Sequence, residues 1–171
     1  MLPMLRSEYL SYRRSFEPMS VKLAILAESP PVSGKYFYNP AGFISEPLFS
    51  GLMSQLAFTP TSKESGLREF QRRGWILVDA TYEPVNIKGK HRNQVITRDY
   101  QSLCGDLAAM LPDRSTPIIL VKANVCRLLD GKLTDDGFNV INKGRIVPFP
   151  SHSWQNEFQR QFSEILKTSG I

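Results

Sequence analysis

An apolar run that begins at Val21 ends abruptly at Glu28, Ser29 and two prolines, and this junction constrains the fold more than any other part of the sequence. The run is continuous rather than alternating, which is typical of a strand that is covered on both faces in a parallel sheet. Such sheets bind ligands just beyond the carboxyl ends of their strands. The sequence therefore predicts that Glu28 and Ser29 lie at the rim of a site.

Three further segments have the same character of a buried strand, and helical patterns separate all four. The predicted strands cover residues 22–27, 75–80, 117–121 and 145–149. Apolar residues at helical spacing occur over 46–58, before Gly74, from Asp99 to Pro112, around 125–129 and from Trp154 to Lys167. Strands that alternate with helices predict an α/β fold, here a three-layer α/β/α sandwich with a central, mostly parallel four-stranded sheet.

Composition limits the size, partners and location of the protein. With 171 residues, 42% of them hydrophobic, we expect a single domain over 1–171 with a helical N-terminal extension over 1–20. A formal charge of +5 permits a polyanionic partner. Cys104 and Cys126 have no Cys or His at metal-ligand spacing, which predicts reduced thiols, no metal site and a cytoplasmic protein. No run reaches the roughly 18 apolar residues of a membrane span, so we expect no membrane partner. We also expect a monomer.

The carboxyl ends of parallel strands meet at one edge of a sheet, and polar residues follow each predicted strand. Besides Glu28 and Ser29, these are Asp79, Thr81, Tyr82, Lys122, Asn124, Ser151, His152 and Ser153. A long loop over 29–45 adds the aromatic residues Tyr36, Phe37 and Tyr38. Polar groups that converge on a largely apolar pocket are the usual composition of a site for a small molecule or a base.

The order of these motifs resembles that of the uracil-DNA glycosylase superfamily, most closely its iron-sulfur branch, over residues 20–166. Residues 27–31, Ala-Glu-Ser-Pro-Pro, stand where that branch has Gly-Glu-Ala-Pro-Gly, and residues 36–38 stand in the family's phenylalanine-containing loop. Asp79 occupies the place of the asparagine that reads the base. Residues 149–153, Phe-Pro-Ser-His-Ser, occupy the place of the family's His-Pro-Ser. The resemblance implies the uracil-DNA glycosylase fold.

The resemblance also implies a glycosylase, which extrudes a nucleotide from DNA, holds its base and breaks the bond between base and sugar. Catalysis would then fall to Glu28, Ser29 and His152, with Glu28 activating a water molecule and His152 stabilising the departing base. The base would be held by Tyr36, Phe37, Tyr38, Asp79, Thr81 and Asn124, and the phosphates by Lys88, Lys90, Arg92, Ser151 and Ser153. The four cysteines of the iron-sulfur cluster are absent, so no cofactor is expected.

Asp79 in the place of asparagine has a specific consequence. An asparagine both donates and accepts hydrogen bonds, whereas an ionised aspartate only accepts them. An ionised Asp79 would therefore favour a base edge with amino or ring N–H donors, and we expect that uracil is not the preferred ligand.

Each of these residues also has a structural interpretation. Glu28 could pair with a lysine, Asp79 could accept from loop amides, and residues 151–153 could cap the last helix. The aromatic residues could fold back onto the core, and the basic run of Lys88, Lys90, His91 and Arg92, continued by Arg98, could be a solvated loop. At the level of function, the alternatives are a non-catalytic module that binds nucleic acid or nucleotides, and an enzyme that acts on free nucleosides.

Overall fold

The computed structural model describes residues 4–87 and 91–171, which form an all-parallel sheet between layers of helices. The strands are β1 (Leu23–Ala27), β2 (Trp75–Asp79), β3 (Pro117–Leu120) and β4 (Asn139–Val140). The helices in the described ranges are α1 (Arg6–Arg14), α2 (Pro47–Gln55), α3 (Lys63–Arg72), α4 (Arg92–Arg98), α5 (Tyr100–Met110), α6 (Ala123–Asp135) and α7 (Gln155–Thr168). This architecture confirms the predicted α/β class and the three-layer arrangement.

The strand order β2-β1-β3-β4 places β1 inside the sheet, with a parallel neighbour on either side. All five residues of β1 and all five of β2 are buried, which explains why both read as continuous apolar runs. The register sets Ala27 opposite Asp79. Glu28, the residue after Ala27, therefore emerges beside Asp79 at the carboxyl edge of the sheet.

The helices pack through an apolar core that includes several aromatic contacts, and through a few polar contacts. Gln55 on α2 and Gln159 on α7 hydrogen-bond to each other, and the ring of Trp75 on β2 lies 5.9 Å from that of Phe162 on α7. The expected N-terminal extension contains α1, which packs against the domain. Its Arg13 is only 5% exposed and forms an ion pair with Asp106 on α5.

The predicted fourth strand over 145–149 is wrong, because the last strand of the sheet is Asn139–Val140. Pro148 and Pro150 have no N–H to donate to a ladder, so this segment cannot continue as a paired strand. The segment 145–149 keeps one backbone hydrogen bond to the chain just after β3, from Lys122 N–H to Val147 O at 2.8 Å.

Two helical segments also differ from the prediction. Helix α6 runs through Gly131 to Asp135, where a helix around 125–129 was expected, and it ends before Gly137, which has a φ of +90°. The predicted basic loop is helical from Arg92 onward, as α4. Of the helices in the described parts of the chain, none combines the length and apolar character needed to cross a bilayer.

Candidate functional site

A cavity of about 370 Å³ opens at the carboxyl edge of the sheet, beneath the loop that follows β1. Its polar and charged lining residues are Glu28, Ser29, Ser33, Lys35, Glu46, Asp79, Asn86, Arg92 and Lys122. Its apolar and aromatic wall includes Pro30, Pro31, Tyr36, Phe37, Leu48, Phe49, Leu77, Val121 and Phe149. The cavity thus lies where the sequence predicts a site, and its volume and lining suit a small organic ligand.

Glu28 is held in the cavity wall by three side chains from other elements. Lys122 Nζ donates to Glu28 Oε1 at 2.6 Å, and Asn124 Nδ2 donates to Oε2 at 2.6 Å. Arg92 Nε lies 3.7 Å from Oε2. The Glu28 side chain is 3% exposed, whereas those of Lys122 and Arg92 are 23% and 33% exposed, so the two cations lie on its solvent side.

Lys122 reaches Glu28 from a backbone conformation that residues with a Cβ rarely adopt, with a φ of +88° and a ψ of +133°. The conformation is fixed on both sides, since Lys122 N–H donates to Val147 O and Lys122 O accepts from Cys126 N–H. Strained residues of this kind concentrate at functional sites. The turn between β3 and α6 therefore serves to bring the Lys122 amine to Glu28.

Asp79 has a very different environment from Glu28. It is 4% exposed at the end of β2, and no hydrogen bond from the described residues reaches its carboxyl oxygens. Burial raises the pKa of Asp79 to about 8, Glu28 and Asp106 add to the increase, and Arg13 opposes it. At pH 7 the carboxyl group is therefore mainly protonated, and it can both donate and accept a hydrogen bond.

Tyr36 brings a second unused polar group to the same cavity. The side chain is buried, and its hydroxyl has no hydrogen-bond partner among the described residues. Burial raises the pKa of this hydroxyl, and the nearby Asp79 carboxylate raises it further. Since buried hydroxyls normally have partners, this one indicates a ligand that would supply one.

A buried ion pair positions Tyr36. Lys63 Nζ donates to the Tyr36 carbonyl at 2.6 Å and to Glu46 Oε1 at 2.7 Å. Glu46 Oε2 in turn accepts from Phe43 N–H at 2.7 Å. Burial lowers the pKa of Lys63, which the Glu46 carboxylate counteracts. The loop after β1 is thus tied to α3 in a fixed conformation.

Several of the predicted site residues do come together in the cavity. They are Glu28, Ser29, Tyr36, Phe37, Asp79 and Arg92. Asn124 does not line the cavity, but its side chain donates a hydrogen bond to Glu28, which does. The Ser29 hydroxyl accepts from Val85 N–H at 3.3 Å, which connects β1 to the loop after β2.

Other predicted site residues lie elsewhere. The Tyr38 hydroxyl is fully buried and accepts from Leu77 N–H at 2.7 Å, and Thr81 lines a second cavity and donates to Asp99. Ser151, His152 and Ser153 are exposed at the turn before α7 and do not line the first cavity. Lys88 and Lys90 lie outside the described residues.

Lys122 and Phe149 also line the cavity; the sequence predicts Lys122 at this edge of the sheet, but neither residue was assigned a catalytic or binding role. Lys122 directly follows the apolar run of β3, just as Glu28 follows that of β1, and this parallel was the available signal. Phe149 lines the cavity although its segment is not a strand.

No group of three or more His, Cys, Asp or Glu side chains in the described ranges could hold a metal ion. The cavity offers instead hydrogen-bond donors, acceptors and aromatic faces. Neither a protein-family model nor a curated protein matches this chain.

Proposed function

We propose that this protein recognises a nucleobase in DNA and hydrolyses its N-glycosidic bond, as its resemblance to the uracil-DNA glycosylase superfamily implies. The observation that carries the proposal is the division of polar groups in one cavity. Asp79 and Tyr36 have unused hydrogen-bonding atoms, whereas Glu28 is held beside the solvent-facing Lys122 and Arg92. An extruded base would present its edge to the first pair and leave its sugar beside Glu28.

Charge around the cavity supports a polyanion over a free nucleoside. Lys35, Arg92 and Lys122 line it, while the Glu46 carboxylate is paired with Lys63. Among the described lining residues, the Glu28 carboxylate offsets part of this positive charge, whereas Asp79 is mainly protonated at pH 7. A positive rim attracts the phosphates that flank an extruded nucleotide.

Hydrolysis needs stabilisation of a cation-like sugar and an attacking water molecule. The Glu28 carboxylate serves both needs, and Asn124 and Lys122 fix its orientation. The protonated Asp79 donates to the oxygen on which negative charge develops as the base leaves.

The protonation of Asp79 changes the expected preference of the site. A neutral carboxylic acid can both donate and accept a hydrogen bond, as an asparagine amide can. Only an ionised Asp79 would disfavour uracil, and in this proposal that form predominates only above about pH 8. Below that pH we propose that the site accepts a base edge with carbonyl oxygens.

The test is a panel of DNA and RNA oligonucleotides that carry uracil, hypoxanthine, xanthine or oxidised bases, assayed for strand breaks after alkali at pH 6.5 and 9.5. We expect release of an oxo-edged base from DNA at the lower pH and a loss of that preference at the higher pH. Asp79→Asn should make the preference independent of pH. Glu28→Gln should abolish release, while Glu164→Gln, at an exposed position of α7, should not change it.

One observation favours a binding module without catalysis. Both oxygens of Glu28 already accept a hydrogen bond, from Lys122 and Asn124. Base-dependent binding with no release of any base in the panel would select this second function. Release that Glu28→Gln leaves unchanged would remove Glu28 from the mechanism.

A further inference from the structure

The contacts around Lys122 have the geometry of an activated nucleophile. Such sites place a nucleophile within hydrogen-bond reach of a base that a third group orients. Lys122 Nζ lies 2.6 Å from Glu28 Oε1, and the other oxygen of Glu28 is held by Asn124 at 2.6 Å. The amine also lines the cavity, with 23% of its side chain exposed.

The backbone provides a second and independent observation. Lys122 has a φ of +88° at the start of α6, a conformation in which any residue with a Cβ is strained. A glycine would adopt it without strain, but it would bring no amine to the cavity. The strain is therefore explained by a need for the lysine side chain at this position.

We infer that Lys122 forms a covalent imine with the sugar aldehyde that base release leaves in DNA, so that the protein also cleaves the strand as a lyase. The inference rests on the proposed function for its substrate, an abasic 2-deoxyribose, and it assigns a separate activity to the same cavity. Glu28 acts as the base and Asn124 is the positioning residue.

The chemistry balances without an oxidant, a reductant or a further reactant. The Lys122 ammonium gives a proton to the Glu28 carboxylate, and the freed lone pair on Nζ forms a bond to the aldehyde carbon, C1′. The carbonyl oxygen takes one proton from Nζ and the proton held by Glu28, and it leaves as water. The product is a protonated imine, and Glu28 is again a carboxylate.

Strand cleavage follows by elimination. Glu28 removes a proton from C2′, which the adjacent imine makes acidic. The electrons of that bond form a double bond between C2′ and C3′, and the 3′ phosphate leaves with the electron pair of its bond to C3′. Water then releases the sugar fragment from Lys122.

The test uses the full chain and a preformed abasic DNA oligonucleotide, so that it does not depend on base recognition. Sodium borohydride reduces an imine to a stable amine, and we expect a cross-linked complex whose peptide map places the sugar on Lys122. Lys122→Arg keeps the positive charge and should reduce cross-linking at least 50-fold. Lys143→Arg replaces an exposed lysine that also has a positive φ, of +48°, and should leave cross-linking unchanged.

The outcomes separate this inference from the proposed function. Mapping on wild-type protein identifies the modified residue even if Lys122→Arg fails to fold. A cross-link at another lysine, or no cross-link at saturating protein, overturns the lyase inference. Base release without a cross-link removes the lyase alone, and a cross-link without release from any damaged base removes the glycosylase alone.

Discussion

Replacing Asp79 with asparagine should change how the stability of the protein depends on pH. The pKa of Asp79 rises from an ordinary 3.8 to about 8 in the folded protein, because the carboxyl group is buried without a hydrogen-bond donor from the described residues. Between these values the unfolded chain ionises and the folded chain does not. The contribution of the protonated Asp79 to the stability of the folded protein is therefore fully present below about pH 4, and it is lost as the pH rises toward 8.

The structure gives the size of this effect. A pKa difference of one unit corresponds to about 1.4 kcal/mol, so the wild-type protein loses about 1.4 kcal/mol per pH unit at this position. The accumulated loss is about 4 kcal/mol at pH 7 and on the order of 6 kcal/mol above pH 8. The asparagine side chain cannot ionise, so the variant should not lose this stability. The unfolding free energy of the variant minus that of the wild type should therefore increase by about 1.4 kcal/mol per pH unit. Burial of the amide adds an offset that does not vary with pH.

Urea denaturation at half-unit steps from pH 4.5 to 9 measures the difference in unfolding free energy between the two proteins. We expect a line that rises with pH and becomes flat near pH 8. Asp135→Asn, at an exposed position of α6, should change the free energy by less than about 0.5 kcal/mol throughout. A constant difference between wild type and Asp79→Asn would refute the reasoning, because it would mean that the folded protein stabilises the Asp79 carboxylate as well as water does.

Two further predictions concern the loop that follows β1. Tyr36→Phe removes a buried hydroxyl without a described partner and should stabilise the protein by about 1 kcal/mol in thermal or urea denaturation, whereas Tyr38→Phe removes a bonded one and should destabilise it by about 1 kcal/mol; equal effects would contradict the assignment. Lys63→Met leaves the buried Glu46 carboxylate unpaired and should cost about 3 to 5 kcal/mol. The double variant Lys63→Met/Glu46→Leu should recover most of this loss, and a failure to do so would show that the contact with the Tyr36 carbonyl dominates.

The strands of the sheet differ in how well the sequence predicts them. Strands β1, β2 and β3 are continuous apolar runs, because both faces of this sheet are covered, and the sequence predicts each to within a residue or two of its observed ends. Strand β4 has two residues and too few apolar positions to form a pattern. The segment 145–149 has the composition of a strand, but Pro148 prevents it from pairing as one.

The candidate site was predictable where it depends on strand ends and unpredictable where it depends on side-chain direction. Glu28 and Asp79 follow from the register of β1 and β2. Tyr36 and Tyr38 lie two residues apart in an irregular loop, where no periodicity tells which hydroxyl faces the cavity and which enters the core. The role of Lys122 depends on a positive φ, which the sequence does not reveal for a residue other than glycine.

Burial is the main cause of the raised pKa of Asp79, and Arg13 on helix α1, which precedes the residues 20–166 of the resemblance, acts against it. Arg13 lowers the pKa of Asp79, but its guanidinium is bonded through two nitrogens to Asp106, each at 2.8 Å. The Asp106 carboxylate also raises the pKa of Asp79 directly. The pair therefore leaves Asp79 protonated at neutral pH where an unpaired arginine would favour ionisation.

Asp106→Asn should consequently lower the pKa of Asp79, since it removes a negative charge that raises this pKa and leaves the Arg13 guanidinium paired with the Glu17 carboxylate but not with Asp106. The amide oxygen still accepts from the guanidinium, which preserves part of the contact. A carbon-13 titration of the Asp79 carboxyl group measures the shift, with Asp135→Asn as the matched control. An unchanged or higher midpoint would mean that Arg13 does not act on Asp79 through its charge. A lower midpoint would lower by the same amount the pH at which the Asp79 carboxyl stops donating a hydrogen bond to a ligand in the cavity. The ligand preference would then depend on the pairing of Arg13, which lies on helix α1, outside residues 20–166.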